Sequence, residues 1–402
     1  MLRVPIHNIQ PKMILARPVP LPSDPQRFLL QRDHEIPMDL VPRLKQLGIV
    51  EVWVRCRDLE FLEDVIDEGL GEGQREIYSH VRRNFEKMMQ GASGQLDLHQ
   101  FQESIGGLFG FLRGSNCGNL LLQKLDAFDN YLMSHSTNVC YLALLLGMKL
   151  ERYLIDQRKA KTPRDAKDVQ LLGLGCLLHD VGKMKISSAI LNKPGRLTDD
   201  EMELMKLHPV FGYEMVKGRI PASASEIVLN HHQRYNGEGY PSRRDPRTGD
   251  AIPPLAGQRI PIFSRIATLA DVYDAATTTR CYSGAKLPVR VLDEMHGMVG
   301  TFFDPVVAEA FFQTVPAFPI GQVVTLSDGH QAVVVDFNPH RPVRPKVQCL
   351  RDPGGARIAD PSLYELDLGL YDDLQIAYVD GVDVRPYQAS QRNREAAVAE
   401  IA

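Results

Sequence analysis

Between residues 171 and 241 the chain carries four of its twelve histidines: His179, His208, His231 and His232. Asp180 follows His179 directly, and Gly239-Tyr240-Pro241 closes the segment. Imidazole nitrogens ligate iron, zinc, copper and nickel, and a carboxylate can span two ions. The chemistry offered is metal-assisted hydrolysis. Upstream, His135 lies in the stripe Leu122, Leu125, Phe128, Leu132, His135, Val139, Leu142 and Leu146, spaced as one helix face. Downstream, Asp271 interrupts the apolar run 260–278. A lone histidine on an apolar stripe is more often a hydrogen-bonded core residue; His135 gains another meaning only from its company. His135, His179, Asp180, His208, His231, His232 and Asp271 are too many ligands for one ion. They suit two ions about 3.5 to 4 Å apart that share a bridging carboxylate and a bridging hydroxide. Asp180 is the natural bridge, because its neighbour His179 can take one ion while the carboxylate spans both.

The elements that must position these groups are helices. An apolar helix over 169–178 ends in His179-Asp180-Val-Gly182-Lys183. Thr198-Asp-Asp-Glu201 has the form of a capping box, and the helix it opens is predicted to carry His208. A helix over 227–230 ends in His231-His232, and another over 260–278 carries Asp271. Asp304-Pro305 is a helix start running to about 315. Bundles build metal sites from side chains on facing helices, so the set predicts an all-helical block over 119–316.

Around the block the pattern changes. Residues 1–57 alternate short apolar runs (13–16, 28–30, 49–54) with Pro, Asp and Asn, as a small mixed α/β, regulatory domain does. One short helix is predicted over 37–48. Residues 58–118 read as a helical connector, with Ile77, Val81, Phe85 and Met88 on one face that could support a homodimer. Gly-rich stretches at 70–73, 91–94 and 106–118 are expected as loops or helix stops. Residues 317–380 are β-rich and barrel-like, and 381–402 form a polar tail. The expected fold class is mainly α: a helical core, a small α/β N-terminal domain and a small β-rich C-terminal extension.

Four segments carry a resemblance. HDVGK (179–183), HPVFGYEM (208–215), HHQRYNGEGYP (231–241) and LADVYDAATTTRCY (269–282) resemble the HD-GYP family, a branch of the HD metal-dependent phosphohydrolases. The resemblance covers roughly 120–316. It implies a bacterial phosphodiesterase that hydrolyses the second messenger cyclic di-GMP to the linear dinucleotide, or on to GMP, by attack of a metal-bridging hydroxide. It also implies that His135, His179, Asp180 and Asp271 hold one metal, and that His208, His231 and His232 hold the second, with Asp180 shared. Lys183 matches the lysine that contacts the scissile phosphate, Arg280 an arginine that helps hold the dinucleotide, and Gly239 and Tyr240 the signature loop. Two divalent cations would neutralise the anionic diester and lower the pKa of the shared water. Lys183 and Arg280 would add charge-assisted hydrogen bonds to phosphate oxygens. Iron or manganese is expected first, with zinc and nickel also compatible with the ligand types.

The chain departs from the family pattern at several points. Tyr131 stands where some members carry a glutamate for a third metal, which predicts a two-metal site. Gln233, Asn236, Cys281 and Ser283 replace the usual glutamate, aspartate, proline and basic residue. These changes motivate two alternatives: a low-turnover, metal-containing signalling module that binds a cyclic dinucleotide or partner protein, and a hydrolase of another cyclic dinucleotide.

Composition sets outer bounds. The chain has 402 residues, 44% hydrophobic and 24% charged, which is ordinary for a globular protein of two or three domains. A net charge of −4 gives no reason to expect DNA binding. Six scattered cysteines without a CxxC pair fit reduced thiols in the cytoplasm. No signal-peptide core and no membrane-length apolar run is expected.

Overall fold

The computed structural model describes residues 1–21, 24–65, 75–80, 82–83, 98–114, 131–245, 247–278 and 285–388. Val81, Phe85, Met88, Leu122, Leu125, Phe128, Arg280, Cys281 and Ser283 lie outside the described residues, as do 389–402.

The N-terminal unit pairs β1 (Leu2–Pro5) with β4 (Glu51–Val54), antiparallel, Leu2 opposite Val54. A second antiparallel pair joins β2 (Val19–Leu21) and β3 (Asp24–Leu30). Val4, Ile6, Leu15, Ile36, Leu44 and Val52 form the core between them and α1 (Val41–Gln46). Residues 13–16, expected as a strand, make only isolated bridges, Ile14 to Glu35 and Leu15 to Val54. The helix expected from Pro37 begins at Val41, because Pro42 is tolerated only in the first helical turn.

The central block is helical: α2 (Leu98–Gly114), α3 (Tyr131–Lys149), α4 (Gln170–Leu178), α5 (Asp199–Met205), α6 (His208–Val216), α7 (Ala222–Asn230), α8 (Ile262–Thr277), α9 (Pro288–His296) and α10 (Pro305–Phe312), with shorter turns between. α4 is buried along almost its whole length, packed on α3, α7 and α2. Gly106, Gly107 and Gly110 were expected to break a helix, yet they lie inside α2. Each interior glycine costs about 1 kcal/mol relative to alanine. Burial of Phe101, Ile105, Leu108 and Leu112, one face of α2, outweighs that cost. The capping box at Thr198 and Glu201 forms as predicted, with both hydrogen bonds in place. The helix it opens nevertheless stops at Met205, and His208 begins α6 instead. Pro209 sits at the second position of α6, where its missing N–H costs nothing. Asp304 caps α10 by accepting from the amides of Val306 and Val307.

The C-terminal unit is a six-stranded antiparallel sheet: β5 (Val323–Leu326), β6 (Gln331–Asp336), β7 (Lys346–Arg351), β8 (Glu365–Asp367), β9 (Ile376–Val379) and β10 (Val382–Asp383), in the order β10-β9-β5-β6-β7-β8. The expected barrel-like form is not reached: pairing among the described strands ends at β10 and β8. The unit also runs past residue 380, since the buried Gln388 donates to the carbonyls of Ile376 and Val384. The two flanking units meet. Met1, Ala16, Leu59 and Leu62 share a buried cluster with Ile320, Val333 and Val335. The Arg3 amide donates to the Gly321 carbonyl at 3.0 Å, and Arg357 pairs with Asp58.

Candidate metal centre

Five helices converge on one buried pocket of donor atoms. His135 projects from the second turn of α3, and Asp271 from the middle of α8. His179 ends α4, with Asp180 opening a 3-10 turn, Val181–Lys185. His208 starts α6, and His231-His232 follow α7. Single ligand atoms from Asp180, His208, His231 and His232 lie within 4.8 Å of one another, as do those of His135, His179 and Asp180, and of His179, His231 and Asp271. Asp180 belongs to both sides. Its Oδ1 faces His208 Nε2 at 3.2 Å and His231 Nε2 at 3.8 Å. Its Oδ2 faces His179 Nε2 at 3.3 Å and His135 Nε2 at 3.7 Å.

Three of the histidines are aimed by one local device. The Nδ1 atoms of His179, His208 and His231 lie 2.7, 2.7 and 3.0 Å from the carbonyls of Cys176, Met205 and Val228, each three residues back. The last carbonyls of a helix have no partner within it. A carbonyl can only accept, so Nδ1 carries the proton and Nε2 is left as the ligand atom. His232 is placed differently, stacked on the Tyr240 ring with centroids 4.5 Å apart and planes at 27°.

The electrostatics favour ionised carboxylates here, and neutral rings at His231 and His232. Burial opposes the charge on Asp180, but Lys183, His179 and His208 more than offset it and hold the carboxyl well below its usual range. Asp271 behaves likewise, held down by the His135 hydrogen bond against the effect of burial. Burial first, with neighbouring imidazoles, pushes His231 well below the ordinary histidine range. Burial also pushes His232 down to about 3. His179 Nε2 and Asp180 Oδ1 are buried without a hydrogen-bond partner. Buried polar atoms left that way are costly unless something else satisfies them. Clustered imidazole nitrogens and carboxylate oxygens are the donor set of a divalent metal, so the residues fit the group.

The signature loop is built by close packing. A Cβ at Gly239 would stand 2.4 Å from the Arg234 nitrogen and 2.5 Å from the His232 carbonyl oxygen. Gly239 thus has a packing reason to be glycine. The Gln233 side-chain amide, buried, donates to the Pro241 carbonyl at 2.8 Å. Asn236 accepts from the Glu238 amide at 3.0 Å and shapes the turn. Both departures at 233 and 236 therefore hold the loop. Lys183 reaches Asp180 Oδ2 while its side chain stays 21% exposed, so the ammonium bridges the buried carboxylate and the solvent side.

Sequence reading brought together every ligand candidate but missed Asp274 and Asn138. Asp274 accepts from His135 and Asn138. The signal was available as spacing: each missed residue lies three positions, one helical turn, after a ligand, Asp274 after Asp271 and Asn138 after His135.

Histidines and aspartates gathered from facing helices around a shared carboxylate are a donor set suited to a metal site in a helical domain. Residues 132–276 match the HD domain family, and 323–381 match the KOW domain associated with the HD domain. The helical block that carries the donor cluster is thus the part of the chain similar to HD domains. A cyclic di-GMP phosphodiesterase of Pseudomonas aeruginosa is 35% identical over 234 residues, 57% of this chain and 50% of the relative. A cyclic di-GMP phosphodiesterase response regulator of Xanthomonas campestris is 37% identical over 150 residues, 37% of each chain. A 3'3'-cGAMP-specific phosphodiesterase of Vibrio cholerae is 35% identical over 139 residues, 34% of this chain and 24% of the relative. The chain spans half or less of the length of these relatives. No helix among the described residues is long and apolar enough to cross a membrane.

Proposed function

We propose that the chain is a metal-dependent phosphodiesterase that hydrolyses cyclic di-GMP to the linear dinucleotide, with GMP as a further product. The observation that carries this reading is the buried cluster of His135, His179, His208, His231, His232 and Asp271 around Asp180, with Lys183 at its solvent side. The names of the Pseudomonas and Xanthomonas relatives support the substrate. In this reading His135, His179 and Asp271 hold one divalent ion, His208, His231 and His232 hold a second, and Asp180 is common to both. Iron or manganese is the first expectation, with zinc and nickel suited by the same donors.

When bound, such a pair supplies an activated water near neutral pH and cancels charge on the diester. The chain's own groups do the rest. Asp180, kept ionised, aligns the two halves of the site. Lys183 donates a charge-assisted hydrogen bond to a phosphate oxygen arriving from the exposed side. Tyr240, whose phenol burial pushes up, stays neutral and walls His232 from water. Arg280 is assigned a supporting contact to the dinucleotide.

The test is one assay on metal-loaded full chain with cyclic di-GMP, with product analysis by chromatography. Intact substrate in the presence of bound metal overturns the reading. A second reading, hydrolysis of a hybrid cyclic dinucleotide, is favoured by the similarity to the Vibrio relative named for 3'3'-cGAMP. The same assay run with both dinucleotides separates the two.

A further inference from the structure

His135 is held unlike the other histidines of the cluster. It is not at a helix end, so no free main-chain carbonyl is available to its ring, and the interior carbonyls of α3 are committed to the helix. Its Nδ1 instead meets a carboxylate, Asp274 Oδ2, at 2.7 Å, across from α3 to α8. That carboxylate is itself fixed: Asp274 Oδ1 accepts from Asn138 Nδ2 at 2.9 Å and from Thr278 Oγ1 at 3.3 Å. His135, Asn138, Asp274 and Thr278 are all buried. Asn138 lies one turn along α3 from His135, and Asp274 one turn along α8 from Asp271. The same two helices therefore supply both the ligand atoms and the support behind them. His135 Nε2 in turn points at Asp271 Oδ1 at 3.0 Å.

We propose that Asp274 is a positioning residue: it fixes the tautomer and direction of His135, and it makes the His135–His179–Asp271 side the tighter of two unequal metal positions. The inference rests on the metal-centre reading above. A carboxylate behind an imidazole raises the basicity of the coordinating nitrogen and locks its ring. Among the described residues, no carboxylate stands behind the rings of the opposite side. His208 and His231 lean on neutral carbonyls, and His232 is placed by stacking on Tyr240. The His135 side holds Asp271 at 3.0 Å and Asp274 at 2.7 Å, while the other side shares Asp180 and meets Asp271 at 3.8 Å from His232 Nδ1. With more fixed negative charge, the His135 side loads first and releases last.

The test is a titration of the metal-free full chain with Co(II) under anaerobic conditions, followed by visible absorption. The native chain should bind two equivalents in separable steps. Asp274→Asn keeps the shape but removes the charge. It should weaken the first step by about 10- to 100-fold and leave the second unchanged. Asn138→Leu, which removes one donor to Asp274, should shift the same step in the same direction by less. Circular dichroism of each metal-free variant checks that the helices remain, and if Asp274→Asn does not fold the Asn138→Leu titration decides. Unchanged affinities in both steps, or equal weakening of both, overturn the proposal. A native chain that binds no metal overturns the metal-centre reading instead, so the two failures are distinguishable.

Discussion

Gly182 and Gly212 lie backbone against backbone. A Cβ on Gly182 would stand 2.4 Å from the Gly212 nitrogen and 1.9 Å from the His208 carbonyl oxygen, and one on Gly212 would stand 3.0 Å from the Gly182 nitrogen. The turn after His179-Asp180 is thus pressed onto the first turn of α6, and that contact sets how near His208 comes to Asp180. The glycines of two separate motifs are one structural feature.

Gly182→Ala should therefore damage both stability and metal binding. Overpacking typically costs about 1 to 3 kcal/mol. Chemical denaturation of the metal-free chain reads the first effect, and metal titration reads the loss at the His208 side. A variant as stable as the native chain would show that the turn and α6 can part freely.

Removal of Asp180 should be the most damaging single change to the centre. Asp180→Ala takes a carboxylate from both sides at once, so metal content and turnover should fall together, by more than about 100-fold in affinity, beyond what loss of a supporting residue costs. Elemental analysis after dialysis, with turnover of cyclic di-GMP, measures both.

Gln233→Glu restores a negative charge but removes the donor that holds Pro241. A carboxylate cannot donate to a carbonyl, and the part-buried contact with Pro241 becomes repulsive. The expected cost is about 1 to 3 kcal/mol, centred on the loop. Hydrogen exchange of the loop amides should rise while helix amides elsewhere keep their protection. A rise in KM with kcat retained is expected in the turnover assay.

The metal-free chain should lose stability as pH rises from about 6.5 to 9. Burial lowers the proton affinity of His135, but its hydrogen bonds to Asp271 and Asp274 more than offset it and raise its pKa to about 9. The unfolded value is about 6.5. Within that window the folded chain holds a proton that the unfolded chain has released, so stability falls with increasing pH. The contribution is at most about 3 kcal/mol, fully present below about 6.5. Denaturation midpoints across this range measure it, and metal should bind more tightly toward the alkaline end because it competes with that proton.

The contact between the flanking units gives the last prediction. A Cβ at Gly321 would stand 2.6 Å from the Trp53 ring, and Gly321 has φ +83°. Gly321→Ala should loosen the N-terminal unit from the C-terminal sheet by about 1 to 3 kcal/mol. Limited proteolysis should then release the N-terminal unit faster than the helical block.

By itself the sequence determined the candidate ligands, most of the helices that carry them, and the capping at Thr198 and Asp304. These are local properties, written in spacing and side-chain chemistry. The helical residence of Gly106 and Gly107, the restart of α6 at His208, the openness of the C-terminal sheet and its union with the N-terminal unit were decided by tertiary structure. So was the pairing of Asp274 with His135, residues 139 positions apart. Which carboxylate stands behind which imidazole depends on the crossing of α3 and α8. Burial then makes each such choice costly to leave unsatisfied, and no periodicity along one helix records it.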